Sequence, residues 1–344
     1  MIENRLCYIS RCYEGTTSAG SKAKTDVEDI LASMGAVNLG LRRSFRSSKI
    51  ATFILNLCGV LRYCVALRRG DRVVLQYPVK KYYTLLCRIA HWRGAKVVTL
   101  VHDLGSFRRK KVKVAQEITR LSHSDYVIAT NETMRMWLAE QGLARPMGTL
   151  DVWDFLCDAQ PAAPLDYEAR KRVLYAGALS NRKNQFIVQL AAMSRTYDLY
   201  LYGNYRNYTP ALSGSNLYCH NFMPHERLIS QVQAHYALVW DGDSTQSCVG
   251  DFGSYLQYNT PHKVSLYLRM GLPLIVWKES AMAQFVMENG VGIVADSLHS
   301  LDALLQEIDH TMWLAMRSNV EYIAQRLQKG YYMRQAVETA CRCI

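Results

Sequence analysis

Apolar residues recur along this chain in short blocks separated by amphipathic stretches. The blocks at 6–9, 73–76, 96–101 and 126–129 have the length and the β-branched content of strands buried on both faces. Between them, at 26–34, 50–67, 82–92, 112–122 and 132–141, apolar positions fall three and four apart and predict helices. Strand and helix alternate, so the first part of the chain reads as repeated βα units on a mostly parallel sheet. Trp153, Pro161 and Pro164 break the rhythm over 151–166, where a connection between domains is expected. A second alternation then follows, with strands at 172–176, 197–202, 217–219, 236–240, 274–277 and 292–295. Its helices are predicted at 184–193, after Pro224, at 262–270, 281–289 and 298–308, and again after Thr311. The expected fold is α/β: two doubly wound Rossmann-like domains facing each other across a cleft lined by the C-terminal ends of their strands. The expected bounds are 1–155 and 156–315, followed by closing helices at 316–344, to which a return to the first domain is open.

Composition narrows the picture. With 344 residues, 49% hydrophobic and 20% charged, the chain has material for two cores and is not intrinsically disordered. Its ten cysteines are scattered without a C-x2-C pair, which reads as reduced thiols of a cytosolic protein. The start shows no basic region followed by an apolar run and a small-residue cleavage site, so a secretory signal is not expected. The net charge of +12 is uneven: residues 1–150 hold 25 basic and 11 acidic residues, whereas 151–344 hold 16 and 18. The basic half suits a phosphate-rich partner or an acidic membrane surface. Nucleic acid would suit the same charge, but no recognised RNA or DNA motif accompanies it. No G-x-G-x-x-G follows the first strand and no Walker A sequence occurs, which argues against a nicotinamide enzyme and a P-loop hydrolase.

Several strand ends carry candidate chemistry. His102 and Asp103 end the strand at 96–101, where a carboxylate can take a proton from an acceptor hydroxyl and the imidazole can orient a substrate. Their alternative roles are a helix cap for Asp103 and a hydrogen-bonded core position for His102. The basic run 108–113 and the group Arg42, Arg43, Arg46 and Lys49 are either solvated surface or an electrostatic collar for an anion or membrane. The apolar stretch 50–67 is interrupted by Asn56 and Arg62, which favours a buried or amphipathic helix over a membrane span; it is either a core helix or, with basic residues before it, a helix seated shallowly on a bilayer. In the loop after the first strand, Thr16 and Thr17 are candidates for acceptor contact.

In the second half, Gly177 ends a strand before Arg182 and Lys183, which either pair with a nucleotide phosphate or are simply solvated. Tyr202 ends the next strand, where a base can pack on it. Asp241 and Asp243 would suit a divalent ion or a turn cap equally, and no metal ligand is assigned. The densest cluster is 255–268, where Thr260 is expected to cap and Pro261 to begin a helix. Asn259, His262 and Lys263 then emerge near its positive end, where a diphosphate gains backbone donors and the Lys263 ammonium, and Tyr258 can stack or hydrogen bond. Glu279 follows a G-L-P turn and strand, to accept from a sugar hydroxyl or to cap the next helix.

The H-D after a first-domain strand, the N-T-P-H-K-V-S-L-Y-L-R-M-G-L-P-L-I-V block and the V-M-E-N-G-V-G block resemble bacterial GT-B sugar-nucleotide glycosyltransferases. More narrowly, the chain resembles galactofuranosyltransferases of O-antigen and polysaccharide assembly and glucosyltransferases that elongate sugars on adhesins. The resemblance implies a UDP-sugar held mainly by the C-terminal domain and an acceptor held mainly by the N-terminal one. It implies Lys263 and Asn259 on the diphosphate, Tyr258 and Glu279 locating the nucleotide sugar, and Asp103 as base in an inverting transfer. Related enzymes carry an E-x-F-G block and a paired Arg-Lys clamp; here Glu279-Ser280-Ala281-Met282 stands in place of the first, and Arg182 with Lys183 only approximates the second. The expected reaction moves galactofuranose to a lipid-linked saccharide, without a required cofactor, by a cytoplasmic protein peripheral at the inner face of the bacterial inner membrane. Transfer of glucose or another hexopyranose to a glycan or glycoprotein is one alternative, and non-enzymatic polyanion binding is another. Self-association is open.

Overall fold

The computed structural model describes residues 4–14, 19–46, 48–78, 82–108, 112–208 and 211–344. The chain divides into two compact units. One comprises the described residues up to Asp154 together with Gly330–Ile344, and the other is Phe155–Lys329.

The first unit is built on a six-stranded parallel sheet in the order β3-β1-β5-β6-β7-β8. These strands are β1 (Leu6–Tyr8), β3 (Val37–Asn38), β5 (Arg72–Tyr77), β6 (Lys96–Val101), β7 (Tyr126–Ala129) and β8 (Met147–Thr149). A side pair joins β2 (Cys12–Glu14) to β4 (Ser44–Arg46), also in parallel. The helices are α1 (Ala19–Ser33), α2 (Lys49–Ala66), α3 (Tyr83–Trp92), α4 (Gly105–Arg108), α5 (Val114–Leu121) and α6 (Glu132–Glu140). The central strands read as unbroken apolar runs because both faces are covered: Val97, Val98, Leu100 and Val101 of β6 have no exposed surface. The core joins these strands to Val60 and Tyr63 of α2 and to Leu86, Cys87 and Ala90 of α3.

The second unit repeats the plan with its strands in the order β11-β10-β9-β12-β13-β14. They are β9 (Arg172–Ala176), β10 (Asp198–Tyr202), β11 (Leu217–His220), β12 (Tyr236–Val239), β13 (Leu274–Trp277) and β14 (Gly292–Ala295). Strand order reverses between β9 and β12, the crevice where doubly wound folds bind ligands. Helices α7 (Asn181–Asn184), α8 (Phe186–Ala192), α9 (His225–Gln231), α10 (Gly250–Gly253) and α11 (His262–Arg269) follow in order. They continue with α12 (Met282–Asn289), α13 (Leu301–Glu307) and α14 (His310–Gln328). Asp309 caps α14 by accepting from Met312 N at 2.8 Å. The chain breaks at Gly330, whose φ of +70° suits glycine, and α15 (Tyr331–Cys343) then packs on α1, β7 and β8 of the first unit.

Three local expectations change. The polar stretch 11–25 holds β2 and the start of α1, because the buried positions Ala23, Val27, Ile30 and Leu31 anchor a helix whose first turns have little intrinsic propensity. The helix expected over 184–193 is two pieces, since Phe186 N–H donates to Gly242 O at 3.1 Å. Helix α11 begins at His262, with Pro261 rather than Thr260 at its cap position.

Candidate functional site

At the β9/β12 crevice, Tyr175 near the end of β9 and Asp241 beyond β12 come together. Gly242 makes this possible: its φ is +108°, and a Cβ there would lie 2.2 Å from Val249 O. Gly242 N–H donates to Lys183 O at 2.8 Å, which draws α7 beside Asp241. The Asp241 carboxylate is buried, and its Oδ1 accepts from Tyr175 Oη at 2.8 Å, Asn184 Nδ2 at 2.7 Å and Lys263 Nζ at 3.1 Å. Its Oδ2 lies 3.5 Å from Lys183 Nζ. Lys263 also donates to Tyr175 Oη at 2.8 Å and lies over that ring, 4.1 Å from its centre.

Burial pushes the Asp241 carboxyl upward, but Lys183, Lys263 and the Tyr175 hydroxyl outweigh it and hold the group below its ordinary range. Burial lowers Lys263 to about 8, although Asp241 draws it back up. Burial, and then the Asp241 charge, raise Tyr175 well above its usual value, so it stays protonated and donates. Two ammonium groups thus share one carboxylate in a partly desolvated site, an arrangement suited to a further anion.

Lys183 and Lys263 are therefore brought together, while Arg182 is exposed and lies over the Phe252 ring, 5.3 Å from its centre. Gly177 lies just past β9, where its N–H donates to Tyr202 O at 3.0 Å. Tyr202 is buried at the end of β10, stacked on His220 with ring centres 4.5 Å apart. Tyr258 and Asn259 precede α11 and are half-buried; Asn259 Oδ1 is itself buried without a hydrogen-bond donor. Glu279 is exposed beyond β13 and accepts from Gln257 Nε2 at 3.2 Å.

In the first unit, His102 and Asp103 follow β6, both half-buried. His102 Nε2 lies 2.7 Å from Gln76 Oε1, and its ring stacks on Trp153 with centres 4.4 Å apart. Because Gln76 Nε2 donates to Lys24 O at 3.2 Å, the Gln76 oxygen faces His102 and accepts from a proton on Nε2. Glu117 takes up the start of α4: its two oxygens accept from Gly105 N at 2.8 Å and Ser106 N at 3.0 Å. Those two amides thus have a cap other than Asp103. Thr16 and Thr17 lie outside the described residues, as do 109–111 of the basic run.

Sequence reasoning missed Tyr175 and Asn184, which are hidden in strand and helix patterns, and read Asp241 only as a turn or ion ligand. It also passed over Arg11, which donates to Gln76 O at 3.1 Å and Pro78 O at 3.4 Å beside the β1/β5 order reversal. Among the described residues no group of three or more His, Cys, Asp or Glu is arranged to hold a metal ion.

Residues 6–152 match the N-terminal domain, and 173–340 the C-terminal domain, of the family described as glucosyltransferase 3-like. The chain is 29% identical over 331 residues to the beta-1,6-galactofuranosyltransferase WbbI of Escherichia coli (strain K12), covering 93% of each. It is 24% identical over 274 residues to glucosyltransferase 3 of Streptococcus gordonii, covering 78% of each. Among solved structures, Anabaena Alr3699/HepE in complex with UDP and glucose superposes with a TM-score of 0.66 at 13% identity, over 99% of this chain and 100% of that one. That likeness shows the fold.

Proposed function

The chain belongs to the glucosyltransferase 3-like family and is a glycosyltransferase of GT-B fold, and from that premise we propose that it transfers galactofuranose from UDP-galactofuranose to a lipid-linked saccharide. The activity is UDP-sugar-dependent transfer to a saccharide acceptor. The observation that carries the reading is the pair of ammonium groups, Lys183 and Lys263, held on buried Asp241 at the β9/β12 crevice. The likeness to the Escherichia coli galactofuranosyltransferase supports the choice of sugar, and work at the inner face of a bacterial inner membrane is part of the same proposal.

In this reading the acceptor hydroxyl attacks C1 of the donor sugar, the C1–O bond to UDP breaks, and negative charge gathers on the departing diphosphate. Lys263 and Lys183 meet that charge, with Asn259 and the first N–H groups of α11 beside them. Tyr258, Tyr202 and Glu279 locate the nucleotide sugar. Asp103 accepts the hydroxyl proton, and His102, fixed by Gln76 and Trp153, orients the acceptor. Attack opposite the leaving group inverts the configuration at C1. A second reading, glucosyl transfer, is favoured by the family description and by the streptococcal relative.

The test is to supply UDP-galactofuranose, UDP-galactose, UDP-glucose and UDP-N-acetylglucosamine with lipid-linked saccharides and to determine the product linkage by NMR. Galactofuranose joined with inverted configuration is expected, and Asp103→Asn should lower kcat by about a hundredfold or more while UDP affinity holds. Turnover of UDP-glucose alone selects the second reading. Retained configuration removes Asp103 as the base.

A further inference from the structure

Helix α2 exposes its apolar side. Ile50, Phe53, Ile54, Leu57, Leu61 and Val65 form one stripe at helical spacing, with Ile50 74% and Val65 80% exposed. The opposite face is fastened to the first unit: Thr52, Gly59, Val60 and Tyr63 are buried, and Tyr63 Oη donates to Leu86 O at 3.1 Å. Asn56 Oδ1 accepts from Cys12 N at 3.0 Å. A helix held along one side in this way lies on a surface and does not cross a bilayer, although its length and composition alone would allow crossing.

The sequence around the stripe is basic, although Arg43 is taken up by Asp29 at 2.8 Å. Between Asp29 and Asp71 the sequence holds seven basic residues and no acidic one. Arg46 and Lys49 are exposed at the start of the helix and Arg62 within it. At its far end Arg93 donates to Cys64 O at 3.1 Å and lies over the Trp92 ring, which is 80% exposed. An exposed tryptophan beside an apolar stripe, bordered by cations, matches the layering of an anionic lipid surface: acyl chains, then the interface, then phosphate.

We infer that the outward face of α2, with Trp92 and the flanking basic residues, seats the first unit on an anionic phospholipid bilayer. This deepens the inner-membrane reading above, because a surface so seated keeps the enzyme where its lipid-linked acceptor is. The seating is measured without donor or acceptor, so its failure leaves the transfer reading intact.

The full chain is sedimented with vesicles of mixed phosphatidylglycerol and phosphatidylethanolamine and, separately, with vesicles of phosphatidylcholine. The native chain is expected to pellet with the anionic vesicles and to be released by high salt. The pair Ile54→Ser and Leu61→Ser, both on exposed positions, is expected to reduce partitioning by about tenfold or more while UDP release with a soluble acceptor stays unchanged. Arg46→Glu with Lys49→Glu is expected to remove the preference for anionic vesicles by a comparable factor. A native chain that pellets with neither vesicle, or a serine pair that binds as well as native, overturns the inference. So does lipid-free self-association that the serine pair abolishes, since a second copy of the chain then covers the face.

Discussion

Asp241 holds two lysines that arrive from different helices, and this sets the pH range over which the site keeps its positive charge. Lys263 carries its proton below its pKa of about 8 and loses it above. Affinity for UDP, measured by calorimetry, is therefore expected to be level up to about that pH and to fall beyond it. Asp241→Asn removes the carboxylate that draws the Lys263 pKa upward, so the fall begins at lower pH and the Kd at neutral pH rises by about tenfold. Unchanged pH profiles in the two proteins would show that Asp241 is only a packing group. Lys263 was legible in the sequence because Pro261 marks a helix start beside it, and helix starts attract phosphate. Asp241 was visible only as an acidic turn, since its partners Tyr175 and Asn184 lie more than fifty positions away and meet it only through the parallel register of β9 and β12.

The first turn of helix α15 meets one buried acid. Asp154 accepts from Met333 N at 2.7 Å and Tyr332 N at 3.2 Å, which caps the helix where it joins the first unit. Burial nevertheless raises its pKa from 3.8 to about 7, ahead of the opposing pull of those two amides. An acid raised in this way favours the folded state most when protonated: the contribution is complete below about pH 4 and disappears as pH climbs through about 7. The loss amounts to about 2–4 kcal/mol, and Asp154→Asn, which does not titrate, should escape it. Denaturant unfolding of both proteins across that window checks this, and parallel stability curves would contradict it. Among the elements, strands buried on both faces, such as β6 and β12, were legible because their apolar runs are unbroken. The short β2, β3, β4 and β8 were not, being two or three residues long and set by neighbours instead of by their own pattern. The early start of α1 and the split between α7 and α8 were likewise decided by packing and by the Gly242 carbonyl.

At the scale of the whole molecule, two parallel sheets each reverse their strand order, at β1/β5 and at β9/β12. Lys183 and Lys263 gather at β9/β12, and Asp103 follows β6 in the other unit. The repeated βα rhythm made this two-unit plan legible, because each unit must bury a parallel sheet under helices of matching period. The excess of basic residues in the first 150 positions was equally plain, but its meaning was not, since periodicity alone does not say which side of α2 faces water. The proposed transfer, from a UDP-sugar whose diphosphate rests on Lys263, is tested by UDP release from the purified chain, with and without a saccharide acceptor, in the native protein and in Lys263→Met. Acceptor-dependent release by the native chain, reduced by about a hundredfold in kcat/KM in the variant, is the predicted result. A native chain that neither binds UDP nor releases it would contradict the transfer, and a variant as active as native would contradict the role of Lys263.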